Sequence, residues 1–214
     1  MSQLSREAKQ AIYEAVENLV DYAHTNRIDT IVIGGAEAGP YYQLFRIIWG
    51  KKYKEKDPSY VSVGHVWKAE TYRPLSDLIK EHMMKRGLDK KLKGRVMVFD
   101  ESMVFGVTMA SWHKALTELG AKPYCASLFS VPNPEHAFEQ LPFKVHVAKK
   151  LMGDEGYFKE LYDALRVSAK ARGARRIKPV AGVNIPKELT RPKKEARPFA
   201  IELKRYVRAR LRGR

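Results

Sequence analysis

Asp100 and Glu101 stand side by side after a run of four apolar residues, 96–99. Such a run predicts a buried strand, and two carboxylates at its end can accept hydrogen bonds from a pair of sugar hydroxyls. A short loop with Gly106 and Thr108 follows, and the apolar spacing over 107–119 predicts a helix. The first turn of a helix offers free backbone N–H groups and the positive end of the helix dipole, which favour a phosphate. The segment is therefore a candidate site for a phosphorylated sugar.

A second candidate lies earlier in the chain, where the β-branched run 29–33 stops at Gly34 and Gly35. This run also predicts a buried strand. Two glycines allow the backbone to approach a ligand closely, so that amide groups can face an anion. The same pair fits an ordinary tight turn, and the sequence leaves both interpretations open.

The elements that must position these segments alternate along the chain. Apolar periodicity predicts helices over 4–25, 36–49, 74–86, 107–119, 156–172 and 199–212, and strands over 29–33, 60–66, 95–100, 124–131 and 144–148. This alternation predicts an α/β fold with a doubly wound, mostly parallel sheet. In such a sheet, ligands bind beyond the carboxyl ends of the strands, at the point where the strand order reverses.

Charge divides the chain into two unequal parts. Residues 170–214 hold 16 Lys and Arg against three acidic residues, whereas residues 1–169 hold 24 basic and 21 acidic residues. Four prolines, from Pro179 to Pro198, interrupt the basic part. We therefore predict an α/β domain over 1–169 and a basic, proline-containing arm over 170–214 that ends in an amphipathic helix.

A cationic arm with few acids favours a polyanionic partner, and we expect RNA or a ribonucleoprotein, as in ribosome-associated proteins. The candidate nucleic-acid contacts are Arg172, Arg175, Arg176, Lys193, Lys194, Arg197, Lys204, Arg205, Arg208, Arg210 and Arg212. A basic amphipathic helix can also lie on an anionic membrane. Only five large apolar residues line the predicted face, so RNA is the favoured partner.

The remaining composition narrows the class of protein. No stretch approaches the about 18 consecutive apolar residues of a membrane span, and residues 1–10 lack the apolar run of a signal peptide. Cys125 is the single cysteine, which excludes an intrachain disulfide, fits the reducing cytoplasm and predicts an inert core thiol. The six histidines lack zinc-ligand spacing, so no metal site built from a protein cluster is expected. Asn and Gln total eight, a low content that favours a thermophile.

An apolar stripe over residues 4–22 predicts either core or the surface of a homodimer. Apolar residues recur there at spacings of three and four, which places them on one face of the first predicted helix. Both environments bury such a face, so the pattern alone does not separate them.

The segment 94–121 resembles the phosphoribosyl-diphosphate signature of the type I phosphoribosyltransferases, in which an apolar strand, two acids and a loop ending Thr-Gly-x-Thr precede a helix. Asp100, Glu101, Gly106 and Thr108 carry the match. Residues 31–39 resemble the diphosphate loop of this family, and residues 124–147 are similar to the strand and hood of its purine-type subgroup. In matching order, the resemblance covers residues 8–150.

The resemblance implies a phosphoribosyltransferase-like fold, Mg²⁺ as cofactor and a set of site residues. Asp100 and Glu101 would be the catalytic pair that holds the ribose hydroxyls. The ribose-phosphate loop would comprise Ser102, Met103, Val104, Phe105, Gly106, Val107 and Thr108, the diphosphate loop Gly34, Gly35, Ala36 and Gly39, and a mobile loop Lys68, Tyr72 and Arg73. The ligand would be phosphoribosyl diphosphate or a nucleotide.

The sequence departs from the family in the ribose-phosphate loop. Met103, Val104 and Phe105 replace residues that hydrogen-bond phosphate, and Val104 stands where a general base is common in the family. Glu37 adds a negative charge to the diphosphate loop. These changes favour a catalytically degenerate, RNA-binding relative. The retained acid pair favours the alternative, an active magnesium-dependent phosphoribosyltransferase acting on a nucleobase.

Overall fold

The computed structural model describes residues 4–33, 38–63, 74–103, 106–130, 141–151, 156–157, 160 and 196–213. The helices are α1 (Arg6–Thr25), α2 (Gly39–Lys52), α3 (Leu75–Lys85), α4 (Val107–Glu118) and α5 (Ala196–Arg212), with one 3₁₀ turn at Asp89–Lys91. The strands are β1 (Thr30–Ile33), β2 (Ser59–Ser62), β3 (Val96–Met103), β4 (Pro123–Ser130) and β5 (Val145–Lys150). The predicted helix over 156–172 lies almost wholly outside the described residues.

The described strands form one five-stranded sheet in the order β2-β1-β3-β4-β5. Every neighbouring pair in this sheet is parallel. Parallel neighbours require crossover connections, which the intervening helices α2, α3 and α4 provide. The prediction of a doubly wound α/β fold is confirmed.

Alternation along the strands supplies one apolar core on each face of the sheet. In β3, Met97 and Phe99 join the core beneath α1 and α2, whereas Val96 and Val98 join the core beneath α3 and α4. β1 is buried along its whole length, as expected for a central strand covered on both faces.

The apolar stripe over residues 4–22 was predicted to be either core or the surface of a homodimer, and it lies on helix α1. Ala8, Ile12, Ala15 and Leu19 are buried within the monomer, so the stripe is core. The hydroxyl oxygen of Ser5 accepts a hydrogen bond from the amide of Ala8 at 3.1 Å, which caps the first turn.

Helix α5 packs against α1 and α2 on the same face of the sheet. Leu203 and Val207 are each only 1% exposed and belong to the core beneath those helices. The helix begins at Ala196, earlier than the predicted residue 199, because Pro198 lies in its first turn, where a missing N–H costs no hydrogen bond. The predicted division at residue 170 stays a prediction, because residues 161–195 lie outside the described part.

The largest departures from the predicted strand bounds are in β3 and β2. β3 runs three residues beyond Asp100, because Ser102 and Met103 continue the pairing with β4. β2 ends at Ser62, and the rest of its predicted span reaches into residues 64–73, outside the described part. Within the described ranges, no helix has the length and hydropathy needed to cross a membrane.

Candidate functional site

The strand order reverses between β1 and β3, because the chain leaves β1 towards β2 on one side and returns to β3 on the other. At such a switch point the connections after the two strands turn to opposite faces, which opens a crevice at their carboxyl ends. Helix α2 follows β1, and helix α4 follows β3. Both helices therefore begin at this crevice.

Asp100 and Glu101 lie on the β3 side of the crevice. β1 ends at Ile33, which pairs with Phe99, so the two acids extend beyond the last residue of β1. On the other side Asp100 still pairs with Ser127 of β4. Both acids are half-buried. This position puts both acids at the switch point, with their strand held by pairing with β4.

Burial raises the pKa of Asp100 above its usual value, and hydrogen bonds with Glu101 partly offset this effect. One of these bonds is donated by the Glu101 amide to Oδ1 of Asp100 at 3.0 Å. Removing a carboxylate from water disfavours its charged form, and this effect dominates here. Asp100 is therefore a weaker acid than a surface aspartate, and its protonated form can donate a hydrogen bond.

Tyr41 of helix α2 interacts electrostatically with Glu101 of the acid pair. Its ring is buried in the first turn of α2, close to the crevice. Burial and the negative charge of Glu101 both raise the pKa of the Tyr41 hydroxyl. Nothing in the sequence distinguishes Tyr41 as a site residue, because an aromatic residue in an apolar stripe has the signature of core. Its hydroxyl stays protonated at all physiological pH values.

Gly106 turns the chain from the β3 side into helix α4. It has φ 75° and ψ 0°, the left-handed region, and it precedes Val107 with no side-chain cap on the helix from the described residues. A Cβ at this position would lie 2.9 Å from Cδ1 of Leu141. The turn therefore needs glycine for its dihedral angles and for its contact. An uncapped first turn leaves backbone N–H groups available to an anion.

The other residues of the predicted ribose-phosphate loop are only partly described. Ser102 and Met103 belong to β3, Val107 begins α4, and Thr108 is exposed in the first turn of that helix. Thr108 thus lies at the helix terminus where a phosphate would be bound. Val104 and Phe105 lie outside the described residues.

Much of the predicted diphosphate and mobile loops also lies outside the described residues, including Gly34, Gly35, Ala36, Lys68, Tyr72 and Arg73. Gly39 is described and is the buried first residue of α2. Its position at the crevice agrees with the predicted role, which nonetheless stays a prediction.

The predicted nucleic-acid contacts fall into two groups. Lys204, Arg205, Arg208, Arg210 and Arg212 lie on α5, as does the backbone of Arg197. Arg172, Arg175, Arg176, Lys193 and Lys194 lie outside the described residues. In the described part of the chain, no three His, Cys, Asp or Glu side chains lie together as metal ligands.

No protein-family model matches the chain, and a search of curated proteins found no significant match. The chemistry of the crevice and of α5 therefore follows from their own side chains and backbone groups.

Proposed function

We propose that this protein is a cytoplasmic, phosphoribosyltransferase-like protein that has lost efficient catalysis and binds RNA or a ribonucleoprotein through its basic surface. The crevice between β1 and β3 would bind a nucleotide or phosphoribosyl diphosphate. A ligand in the crevice and an RNA on α5 engage different parts of the molecule, so each half of the proposal has its own test.

The position of the acid pair is the main observation that supports ligand binding in the crevice. Asp100 and Glu101 lie at the switch point, and the glycine-initiated turn into α4 follows five residues after Glu101. A sugar phosphate needs acceptors for its hydroxyls and N–H donors for its phosphate. The two ends of this segment supply both kinds of group.

Residues of the predicted ribose-phosphate loop support the loss of catalysis. Met103 and Val104 have apolar side chains at positions where the resembling family places polar ones. Loss of a general base typically slows a reaction about 10²–10⁴-fold.

The residues at the crevice are compatible with a Mg²⁺ ion that binds together with the diphosphate ligand. Carboxylate oxygens are donors that Mg²⁺ accepts, and Asp100 and Glu101 are the carboxylates placed there. Two protein carboxylates leave most of the octahedral positions to water and to diphosphate oxygens. When bound, the ion would neutralise charge on the diphosphate.

Calorimetric titration with phosphoribosyl diphosphate and Mg²⁺ tests the crevice. We expect binding, and we expect Asp100→Asn to weaken it by about 1–3 kcal/mol, the range for losing a charged hydrogen bond. Thr117→Ala, at the far end of α4, is the matched control and should bind as the wild type does. Absence of binding by phosphoribosyl diphosphate and by nucleoside monophosphates at millimolar concentration would remove the crevice half of the proposal.

The active enzyme is the second candidate, because the acid pair is retained. Release of diphosphate in the presence of Mg²⁺ and each nucleobase separates the two candidates. We expect release to be slow or absent with every base. Rapid release of diphosphate with any base would show that the protein is an active phosphoribosyltransferase and that the proposed loss of catalysis is wrong.

The RNA half rests on the charge of α5, which carries six Lys and Arg against a single acid, Glu202. Glu202 forms an ion pair with Lys9 of α1 at 2.6 Å, so it does not neutralise the outer face of the helix. If six to ten phosphates are contacted, RNA affinity should fall about 10³–10⁵-fold between 50 and 200 mM salt. Binding to anionic vesicles and not to RNA would favour the membrane alternative.

A further inference from the structure

A groove of about 570 Å³ lies between helix α2 and helix α5. Its walls include Gln43 and Arg46 on α2 and Lys204 and Arg208 on α5. Glu55 and Asp57, in the loop after α2, also line the groove. The groove is on the α1–α2 side of the sheet, and its walls do not include the acid pair of the crevice.

The backbone of α5 is held in place at this groove by three kinds of contact. Leu203 and Val207 are buried in the core beneath α1 and α2. On the α1 side, Glu202 pairs with Lys9, and the hydroxyl of Tyr206 donates to Oε1 of Gln10 at 2.7 Å. The two groove cations of α5 alternate with these residues and so face the other flank, towards α2. They are four residues apart, one turn and about 6 Å along the helix axis.

The charges in the groove do not cancel. Arg46 forms an ion pair with Asp57, and the carboxylate of Glu55 lies 2.9 Å from Nε2 of His24, a contact that cancels charge only when the histidine is protonated. Lys204 and Arg208 form no ion pair with any acid in the described residues. The groove thus has three cationic side chains against two carboxylates, and the two cations of α5 are the ones without an ion pair among the described residues.

We propose that Lys204 and Arg208, with the Gln43 amide on the facing wall, form a binding site for phosphate groups of an RNA backbone. This inference rests on the proposed RNA-binding function and places its contacts in a preformed groove of the folded body. Two cations one helical turn apart neutralise adjacent phosphates without further ordering of α5, since that helix is already packed. Exposed Arg205 extends the same cationic surface beyond the groove.

The experiment compares two double variants that remove the same charge. The double variant Lys204→Gln with Arg208→Gln removes the two positive charges that α5 contributes to the groove. Lys90→Gln with Lys91→Gln removes two exposed charges from the 3₁₀ turn on the α3 side of the sheet. Affinity of each full-length protein for single-stranded RNA is measured by filter binding from about 50 to 200 mM salt, the range over which phosphate contacts weaken steeply. Thermal unfolding confirms that each variant is folded.

For single strands, the slope of log K against log salt is about −0.7 per phosphate contact. Loss of two contacts should make the slope of the groove variant shallower by about 1.4, which corresponds to about 25-fold weaker binding at 0.1 M salt. The variant on the 3₁₀ turn should retain the wild-type slope. Arg208→Glu, at an exposed position, should reproduce the loss if the half-buried Lys204 cannot be replaced without harm to folding.

The possible failures are distinct. Equal slopes for the groove variant and the 3₁₀ variant, with strong binding by the wild type, would overturn the groove site and leave RNA binding intact. Absence of RNA binding by the wild type would overturn the proposed function and the groove site together. Loss of affinity only in the groove variant supports both.

Discussion

The hydroxyl of Tyr206 donates a hydrogen bond to Oε1 of Gln10 across 2.7 Å, joining residues 196 positions apart in the sequence. The bond ties the basic helix α5 to the first helix of the fold. Together with the buried side chains of Leu203 and Val207, it makes α5 a structural part of the body. The cationic face of α5 is therefore presented from a rigid support.

Replacing Leu203 with alanine should test whether α5 is part of the core. Leucine-to-alanine changes at buried positions cost about 2–5 kcal/mol, because they remove apolar contacts and leave a cavity. We expect a loss in this range in the free energy of unfolding, measured by urea denaturation. Arg205→Ala, exposed on the same helix, should change it by less than about 0.5 kcal/mol. Equal stability of the two variants would show that α5 contributes nothing to the core.

Replacing Gly106 with alanine should strain the turn into α4. A left-handed conformation costs a residue with a Cβ about 1–2 kcal/mol. Gly120→Ala is the matched control, because Gly120 has φ 82° and open space where a Cβ would lie, whereas a Cβ at Gly106 would meet Leu141 at 2.9 Å. Denaturation should show a larger loss for Gly106→Ala, and Leu141→Ala should abolish the difference. Identical losses would show that the contact with Leu141 does not require glycine.

Replacing Asp100 with asparagine should raise the melting temperature at neutral pH. The folded-state pKa of Asp100 is raised by burial, so the folded protein holds this proton more tightly than the unfolded chain. The resulting stability is full below the unfolded pKa and is lost as the pH rises through the folded pKa. Asparagine does not ionise, so the variant escapes this loss. A melting curve series from pH 3 to 8 (about the range that spans carboxyl titration) should show the gain only at the upper end. A gain that is equal at every pH would point to a cause other than ionisation.

Cys125 should be inert towards thiol reagents in the native protein. Its side chain is 1% exposed, and burial raises its pKa to about 12, so the reactive thiolate is scarce at neutral pH. Iodoacetamide labelling followed by mass spectrometry should show negligible modification under native conditions and complete modification in urea. Rapid native labelling would show that β4 opens to solvent.

The crevice was largely predictable from the sequence because its chemistry is local. The acid pair, Gly106 and the start of the helix that follows lie within nine residues, and each has a clear signature in composition. The continuation of β3 past Asp100 was missed, because polar residues at the end of an apolar run have the same signature as a loop. Only pairing with β4 keeps Ser102 and Met103 in the strand.

The docking of α5 was not predictable from the same kind of pattern. An apolar stripe flanked by cations is typical of a helix that packs on a protein core, on RNA or on a membrane. What decides among them is the partner surface on α1 and α2, helices that lie far from α5 in the sequence. The groove was not predictable for the same reason. Arg46 and Asp57, which pair in its wall, lie far from Lys204 and Arg208 in the sequence.

The packing of α5 on α1 and α2 also sets the order in which the molecule can be completed during its synthesis. Residues 203 and 207 leave the ribosome after the five described strands, yet they cover apolar surface on the earlier helices α1 and α2. Until they emerge, the apolar side chains that they cover on α1 and α2 lack this partner. Closure of this core is thus a long-range step, and a nascent chain that lacks α5 exposes the apolar side chains that α5 covers, which favours aggregation.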